Sequence, residues 1–133
     1  MIGLVVVSHS AKAAEGIAEV AAQMGSADAD IVPAGGGPDG DIGTSADRIR
    51  EAIEAADTGD GVVVLVDLGS AVMNAELAVE MLAAEDSDVE VEIADAPILE
   101  GTLNAAVTAA GSKATVESVV ASAEEAWDYR KLN

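Results

Sequence analysis

The chain of 133 residues has one histidine, His9, and no cysteine, so its nucleophilic chemistry is confined to one imidazole, the hydroxyls and the carboxylates. His9 stands between Ser8 and Ser10, directly after an apolar run. Imidazole is nucleophilic while neutral near pH 7 and leaves readily from phosphorus, which suits it to hold a phosphoryl group in transit. A lone histidine in an α/β chain is more often structural or merely exposed. The place of this one, after a buried strand and before a helix whose unpaired N–H groups favour an anion, points instead to a phosphohistidine.

A carboxylate at Asp67, which ends a second apolar run, can accept a hydrogen bond from one ring nitrogen of His9. That would fix the tautomer and leave the other nitrogen free to attack phosphorus. Two further roles stay open for Asp67: a cap on the loop or helix that follows, and a phosphoryl acceptor in its own right, as in receiver domains. Gly35, Gly36 and Gly37 bring bare N–H groups close to a ligand, and Gly69-Ser70 opens a helix with N–H groups and a hydroxyl. Ser10, Gly36, Gly37, Gly69 and Ser70 are therefore the candidate phosphate cradle. No Gly-Lys-Ser/Thr follows either glycine run and no G-x-G-x-x-G follows the first strand, so neither run is a Walker or dinucleotide loop. Of the cations only Lys12 adjoins these segments in sequence. Charge that develops during transfer must then be met by backbone dipoles or by a partner.

With 25 Asp and Glu against 6 Lys and Arg, the formal net charge is −19 and the isoelectric point about 4.1. Such a field repels nucleic acid and anionic membrane surfaces. The acidic residues interleave periodically with Ala, Val, Ile and Leu, which excludes an acidic disordered chain. With few lysines and only 2% aromatic residues, the coat resembles that of proteins from salt-loving archaea. At 1 M salt a Debye length of about 3 Å would screen its self-repulsion. The lack of cysteine removes disulfide, thiolate and redox chemistry, and one histidine with scattered carboxylates gives no expectation of a metal or cofactor. Half of the residues are hydrophobic, enough for one core and a single domain over 1–133. No apolar run reaches the roughly 18 residues of a membrane span, and the N-terminus lacks the basic flank of a secretion signal, so a cytoplasmic location is expected.

The elements that must position these residues follow from periodicity. Ile2 to Val7 and Val62 to Val66 are continuous apolar runs, the pattern of strands buried on both faces. A short strand is expected from Asp30 to Ala34, and one nearer the sheet edge from Val89 to Ile93, where apolar residues alternate with Glu. Helical spacing marks Ala14, Ile17, Ala18 and Ala21, with Gly25 as C-terminal cap. It also marks Ile49, Ala52, Ile53 and Ala56 after a cap at Thr44 or Ser45, and a stripe of Met73, Leu77 and Met81. Two closing helices carry Leu103, Ala106, Val107 and Ala110, then Val116, Val119, Val120, Ala123 and Trp127. Trp127, Val120 and Val116 are expected to pack on the sheet or on a second subunit. Alternating strands and helices imply an α/β fold with a mainly parallel sheet between two helix layers. His9, the glycine loop and Asp67 each follow a strand, so all three belong on one rim.

Taken together, Leu4-Val5-Val6-Val7-Ser8-His9-Ser10, Gly35-Gly36-Gly37, Ile42-Gly43-Thr44-Ser45, Asp67-Leu68-Gly69-Ser70-Ala71-Val72-Met73-Asn74-Ala75-Glu76 and Ala96-Pro97 closely resemble the mannose-type enzyme IIA family. Within that family they resemble the phosphotransfer subunits of PEP-dependent dihydroxyacetone kinases. The resemblance spans nearly the whole chain, and the Ser-His-Ser start is specific jointly with the Asp67–Glu76 block. It implies a homodimeric three-layer α/β/α domain with sheet order 2-1-3-4, acting as a PEP-dependent phosphotransferase subunit through a phosphohistidine at His9. The phosphoryl group would come from the phosphocarrier HPr and pass to ADP held on the DhaL subunit. ATP formed there would phosphorylate dihydroxyacetone on DhaK. Some members add HPr-like and enzyme I-like domains, whereas this chain ends at Asn133, so a separate donor protein is expected. Two other functions share these residues. One is a sugar-transport enzyme IIA that hands its phosphoryl group to an enzyme IIB, and the other is a non-catalytic regulatory domain phosphorylated at Asp67 or not at all.

Overall fold

Strand β1 (Gly3–Ser8) is buried along its whole length, because a Leu-Val-Val-Val run has no polar side to offer water and must be covered on both faces. The computed structural model describes residues 1–25 and 30–132. It continues through α1 (Ala11–Ala22), β2 (Ile31–Gly35), α2 (Ala46–Ala56), β3 (Val62–Val66), α3 (Gly69–Ala84), β4 (Val91–Ala94), α4 (Ile98–Ala109) and α5 (Val116–Glu124), and α5 runs into a 3-10 turn at Glu125–Asp128. All paired strands are parallel and the sheet order is β2-β1-β3-β4. The expected α/β class and strand order are therefore those of the folded chain.

Strand alternation divides the core. Val5, Val7, Val62 and Val64 face one layer, with Ile49 and Ile53 of α2 and the alanines of α3 packed on them. Leu4, Val63 and Leu65 face the other, under Ala105 and Ala106 of α4 and Val116 and Val119 of α5, while α1 sets Ala14 and Ala18 against Val6. From β1 the chain crosses to β2 through α1, then returns past β1 to β3 through α2 on the opposite face. The direction of winding thus reverses between β1 and β3, the place where a parallel sheet opens a crevice at its carboxyl ends. Val7 lies opposite Val66, so Ser8-His9 and Asp67-Leu68 leave the sheet side by side.

Several local expectations shift. The inner face of α3 is Ala71, Ala75, Ala78 and Leu82, and Met73 and Leu77 of the expected stripe lie on the exposed side. This helix is apolar nearly all round, so spacing alone does not separate its faces. Strand β4 begins at Val91 rather than Val89. Ser45, not Thr44, caps α2 by accepting from the Arg48 N–H at 3.3 Å, and Gln23 rather than Gly25 ends α1. Val116 is buried, but Trp127 stands 62% exposed, with its indole N–H donating to the Asp95 carbonyl at 2.8 Å.

One glycine governs how closely β2 approaches the start of α1, next to His9. A Cβ on Gly35 would lie 2.5 Å from the Ser10 carbonyl oxygen and 2.7 Å from Ala11 Cα, both backbone atoms that cannot yield without moving the start of α1. Gly35→Ala is expected to destabilise the chain by about 1–3 kcal/mol through overpacking. Gly16→Ala, in the middle of α1 with nothing within 4 Å of the added carbon, should instead stabilise by about 0.5–1 kcal/mol. Urea unfolding of the two variants in molar salt checks both signs.

Candidate functional site

The two strand ends are joined through one carboxylate. Asp67 Oδ1 accepts from His9 Nδ1 at 2.9 Å and from the Leu68 N–H at 2.7 Å. Its Oδ2 accepts from the Ser8 hydroxyl at 2.9 Å and from the His9 N–H at 3.0 Å. Ser8, 4% exposed, also accepts from the Ser10 N–H at 3.1 Å. Burial by itself pushes the Asp67 carboxyl up. The donors from His9, Ser8 and Leu68 outweigh it and hold the group below the usual carboxylate range.

An ionised carboxylate can only accept hydrogen bonds, so the proton of a neutral His9 ring sits on Nδ1 and the lone pair on Nε2. Nε2 in turn receives the Ser70 hydroxyl at 2.5 Å. The ring is thus gripped from behind by Asp67 and presents one nucleophilic nitrogen to the open rim. His9 and Ser10 sit just before α1, with the Ser10 hydroxyl capping the Ala13 N–H at 3.2 Å. Opposite them α3 begins at Gly69. Its N-cap, Leu68, has no side-chain oxygen, and among the described residues the N–H groups of Gly69 and Ser70 meet no acceptor in the chain. Those two N–H donors and the positive end of a 16-residue helix are free to meet an anion, whereas the Ser70 hydroxyl is engaged with Nε2.

The glycine loop takes a different part from the one its composition suggests. The Gly36 N–H donates to the Ser8 carbonyl at 3.2 Å and the Gly37 N–H to the Asp41 carbonyl at 2.8 Å, so neither is bare. With Gly36 at φ +86°, the loop turns back over the end of β1, and the Gly43 N–H donates to the His9 carbonyl at 2.9 Å. It is a strap over the site rather than a row of phosphate donors. Three residues escaped the sequence reading of the site: Ser8, Thr44 and Asn74. The signal for Ser8 is a hydroxyl at the end of a run that is otherwise wholly apolar, and for Asn74 an amide in the Asp67–Glu76 block, one turn after Ser70.

A cleft of about 920 Å³ runs along the free edge of β4 to Trp127; it touches Asp67, Leu68 and Gly69, but His9 is not in its lining. Among the described residues no three His, Asp or Glu side chains converge as metal ligands, and no helix is long and apolar enough to cross a membrane.

Comparison with known proteins adds a family. The model for EIIA-man, the PTS system fructose IIA component, matches residues 3–120. The phosphoryl donor subunit DhaM of the PEP-dependent dihydroxyacetone kinase of Escherichia coli is 40% identical over 98% of this chain, which spans only 28% of that relative's length. The corresponding subunit of dihydroxyacetone kinase 2 of Listeria innocua is 38% identical over 80% of this chain and 85% of its own. A crystallised protein of unknown function superimposes with a TM-score of 0.79 at 32% identity, covering 92% of each chain.

The four-bond setting of Asp67 carries a pH signature. The folded chain holds this carboxyl below its ordinary range. The stability it contributes is therefore complete above about pH 4 and is lost as the pH falls through the folded value. Asp67→Asn should be on the order of 1–2 kcal/mol less stable than the parent at neutral pH. That gap should close on acidification below about pH 4; a gap that stays constant in urea titrations from neutral to acid pH contradicts the hydrogen-bond pattern.

Proposed function

Because the chain belongs to the EIIA-man family of phosphotransferase-system IIA components, in company with dihydroxyacetone-kinase phosphoryl donor subunits, we propose that it is a phosphoryl carrier acting through His9 Nε2. The observation that carries this reading is the imidazole itself, held by Asp67 on Nδ1 and meeting only the Ser70 hydroxyl on Nε2, on a ring 23% exposed. Attack of the Nε2 lone pair on the donor's phosphorus forms a P–N bond as the donor's own bond breaks. Asp67 keeps its proton partner on Nδ1 and stabilises the cationic ring that results. The Gly69 and Ser70 N–H groups and the Ser70 hydroxyl meet the phosphoryl oxygens. In the second half-reaction an oxygen of the acceptor attacks the same phosphorus and the lone pair returns to Nε2.

The donor in this proposal is an HPr-type phosphocarrier. The acceptor is ADP bound on a DhaL subunit, whose ATP serves dihydroxyacetone phosphorylation on DhaK, so this chain is a PEP-dependent phosphotransferase subunit that meets neither PEP nor the ketone. The cleft of about 920 Å³ beside β4 leaves His9 out of its lining, and the ring stands on the rim, which favours exchange between proteins. So do the apolar side chains beside it: Ile42, Leu68 and Met73 are 77%, 63% and 71% exposed. They follow or precede site residues and give an uncharged footing in a chain of net charge −19. The proposal also includes a homodimer, a cytoplasmic location and a medium of high salt.

Incubation with PEP, enzyme I and HPr in molar salt should add one phosphate to the intact chain, on the His9 peptide, stable to base and absent from His9→Ala. A base-labile or hydroxylamine-labile adduct on Asp67 would overturn the reading. Addition of DhaL carrying ADP should then yield ATP, whereas transfer only to an enzyme IIB would place the chain in sugar transport.

The acidic coat is tested separately by melting. The midpoint should rise from 0.1 to 2 M KCl as repulsion is screened, and equal midpoints would contradict a high-salt habitat.

A further inference from the structure

The segment 41–44 is fastened on both sides of the site. On one side the Gly43 N–H holds the His9 carbonyl at 2.9 Å. On the other the Thr44 hydroxyl donates to the Ser70 carbonyl at 3.4 Å. Thr44 Oγ1 also accepts from the side-chain amide of Asn74 at 2.6 Å, one turn farther along α3. This amide fills an acceptor site of the Thr44 oxygen and so directs its hydrogen at Ser70. The backbone carrying the nucleophile and the backbone carrying the hydroxyl on Nε2 are thereby linked through Gly43 and Thr44, with Asn74 bracing the second.

Ser70 faces two demands within one transfer cycle. In the unphosphorylated chain its O–H donates into the Nε2 lone pair, the same electrons that must attack phosphorus. As the P–N bond forms, the hydroxyl must turn away and redirect its proton to a phosphoryl oxygen. No covalent bond of the serine changes, and the reverse turn accompanies delivery. A hydroxyl swings about its own Cα–Cβ bond, so both ends of the swing are set by where the Ser70 backbone is held.

We propose that Thr44 and Asn74 are positioning residues for phosphoryl transfer. They hold the first turn of α3 against the strap so that the Ser70 hydroxyl alternates between Nε2 and the phosphoryl oxygens. The inference rests on the reading of His9 as a phosphoryl carrier. Neither side chain touches the reacting atoms, and both act through Ser70.

The test follows two readouts in Thr44→Val, Thr44→Ser, Asn74→Ala, Ser70→Ala and the Thr44→Val/Ser70→Ala pair. These are the rate of phosphoryl uptake from phospho-HPr and the ¹⁵N resonance of Nε2 in the unphosphorylated protein. Thr44→Val and Asn74→Ala should each slow uptake about tenfold and move the Nε2 resonance toward its position in Ser70→Ala. Thr44→Ser should restore both readouts, and Thr44→Val should add nothing once the Ser70 hydroxyl is gone. An equal slowing with and without that hydroxyl, or an Nε2 resonance that does not move, would reduce the pair to a structural fastener and overturn the proposal. The resonance needs no phosphoryl donor. A chain whose Nε2 signal responds but which is never phosphorylated would refute the carrier reading while leaving the Ser70 linkage standing.

Discussion

The contact between Asp67 and His9 crosses the one place in the sheet where the winding direction reverses, and the remainder of the architecture serves to make that contact possible. A carboxylate set among strand ends loses hydration, and it stays ionised only if donors replace the water. Four donors do so, drawn from Ser8, His9 and Leu68, and none of them is a cation. They are available because β1 and β3 are adjacent and in register at Val7 and Val66. An antiparallel pair, or a strand inserted between the two, would separate the imidazole from its base. Burial of both strands on both faces therefore does more than stabilise the fold. It fixes the tautomer of a ring that is itself partly open to solvent.

The electrostatics of the rim are unusual for a site proposed to hold a dianionic group. The chain carries a net charge of −19, and among the described residues no guanidinium or ammonium is paired with Asp67 or His9. Stabilisation of an anion on Nε2 falls to the first N–H groups of α3 and to hydroxyls, whose contributions are fixed dipoles rather than charges. In the proposed carrier role this weakness has a use. Tight binding of the phosphorylated state would lower the free energy of an intermediate that must be given up again, and binding that does not grow in the transition state brings no rate. A cradle of backbone dipoles under a repulsive overall field orients the group without trapping it.

Much of this was legible in the sequence, for identifiable reasons. The runs Ile2–Val7 and Val62–Val66 admit little but buried parallel strands, and alternation with helices leaves few topologies, so the convergence of His9 and Asp67 on one rim followed from pattern alone. The glycine loop misled because composition reports permitted backbone angles, not the destination of N–H groups. Gly36 and Gly37 turn theirs to the carbonyls of Ser8 and Asp41, which only the folded path reveals. Likewise α3 hides its inward face, since Ala71, Ala75 and Ala78 are as regular as Met73 and Leu77 and smaller, and packing against α2 selects the small stripe. Thr44 and Asn74 lie 30 residues apart, a pairing no local periodicity encodes.

The tripeptide Ser8-His9-Ser10 shows how backbone geometry divides labour among neighbours of similar type. Ser8 is the last residue of a strand, and its hydroxyl points into the crevice, where it donates to Asp67 and accepts from the Ser10 N–H. Ser10 has already left the strand, with φ −113° and ψ 126°, and its oxygen caps α1. His9, between them, is held by its main-chain N–H to Asp67 Oδ2 and by its carbonyl to Gly43, so the ring is presented from a backbone fastened on both sides. Exchange of the two serines for residues without hydroxyls would leave the histidine in place in the sequence. It would also leave Oδ2 of its base with one donor fewer and the adjoining helix uncapped. The reactivity of the imidazole is thus a property of the strand-to-helix turn as a whole, set before any phosphoryl group arrives.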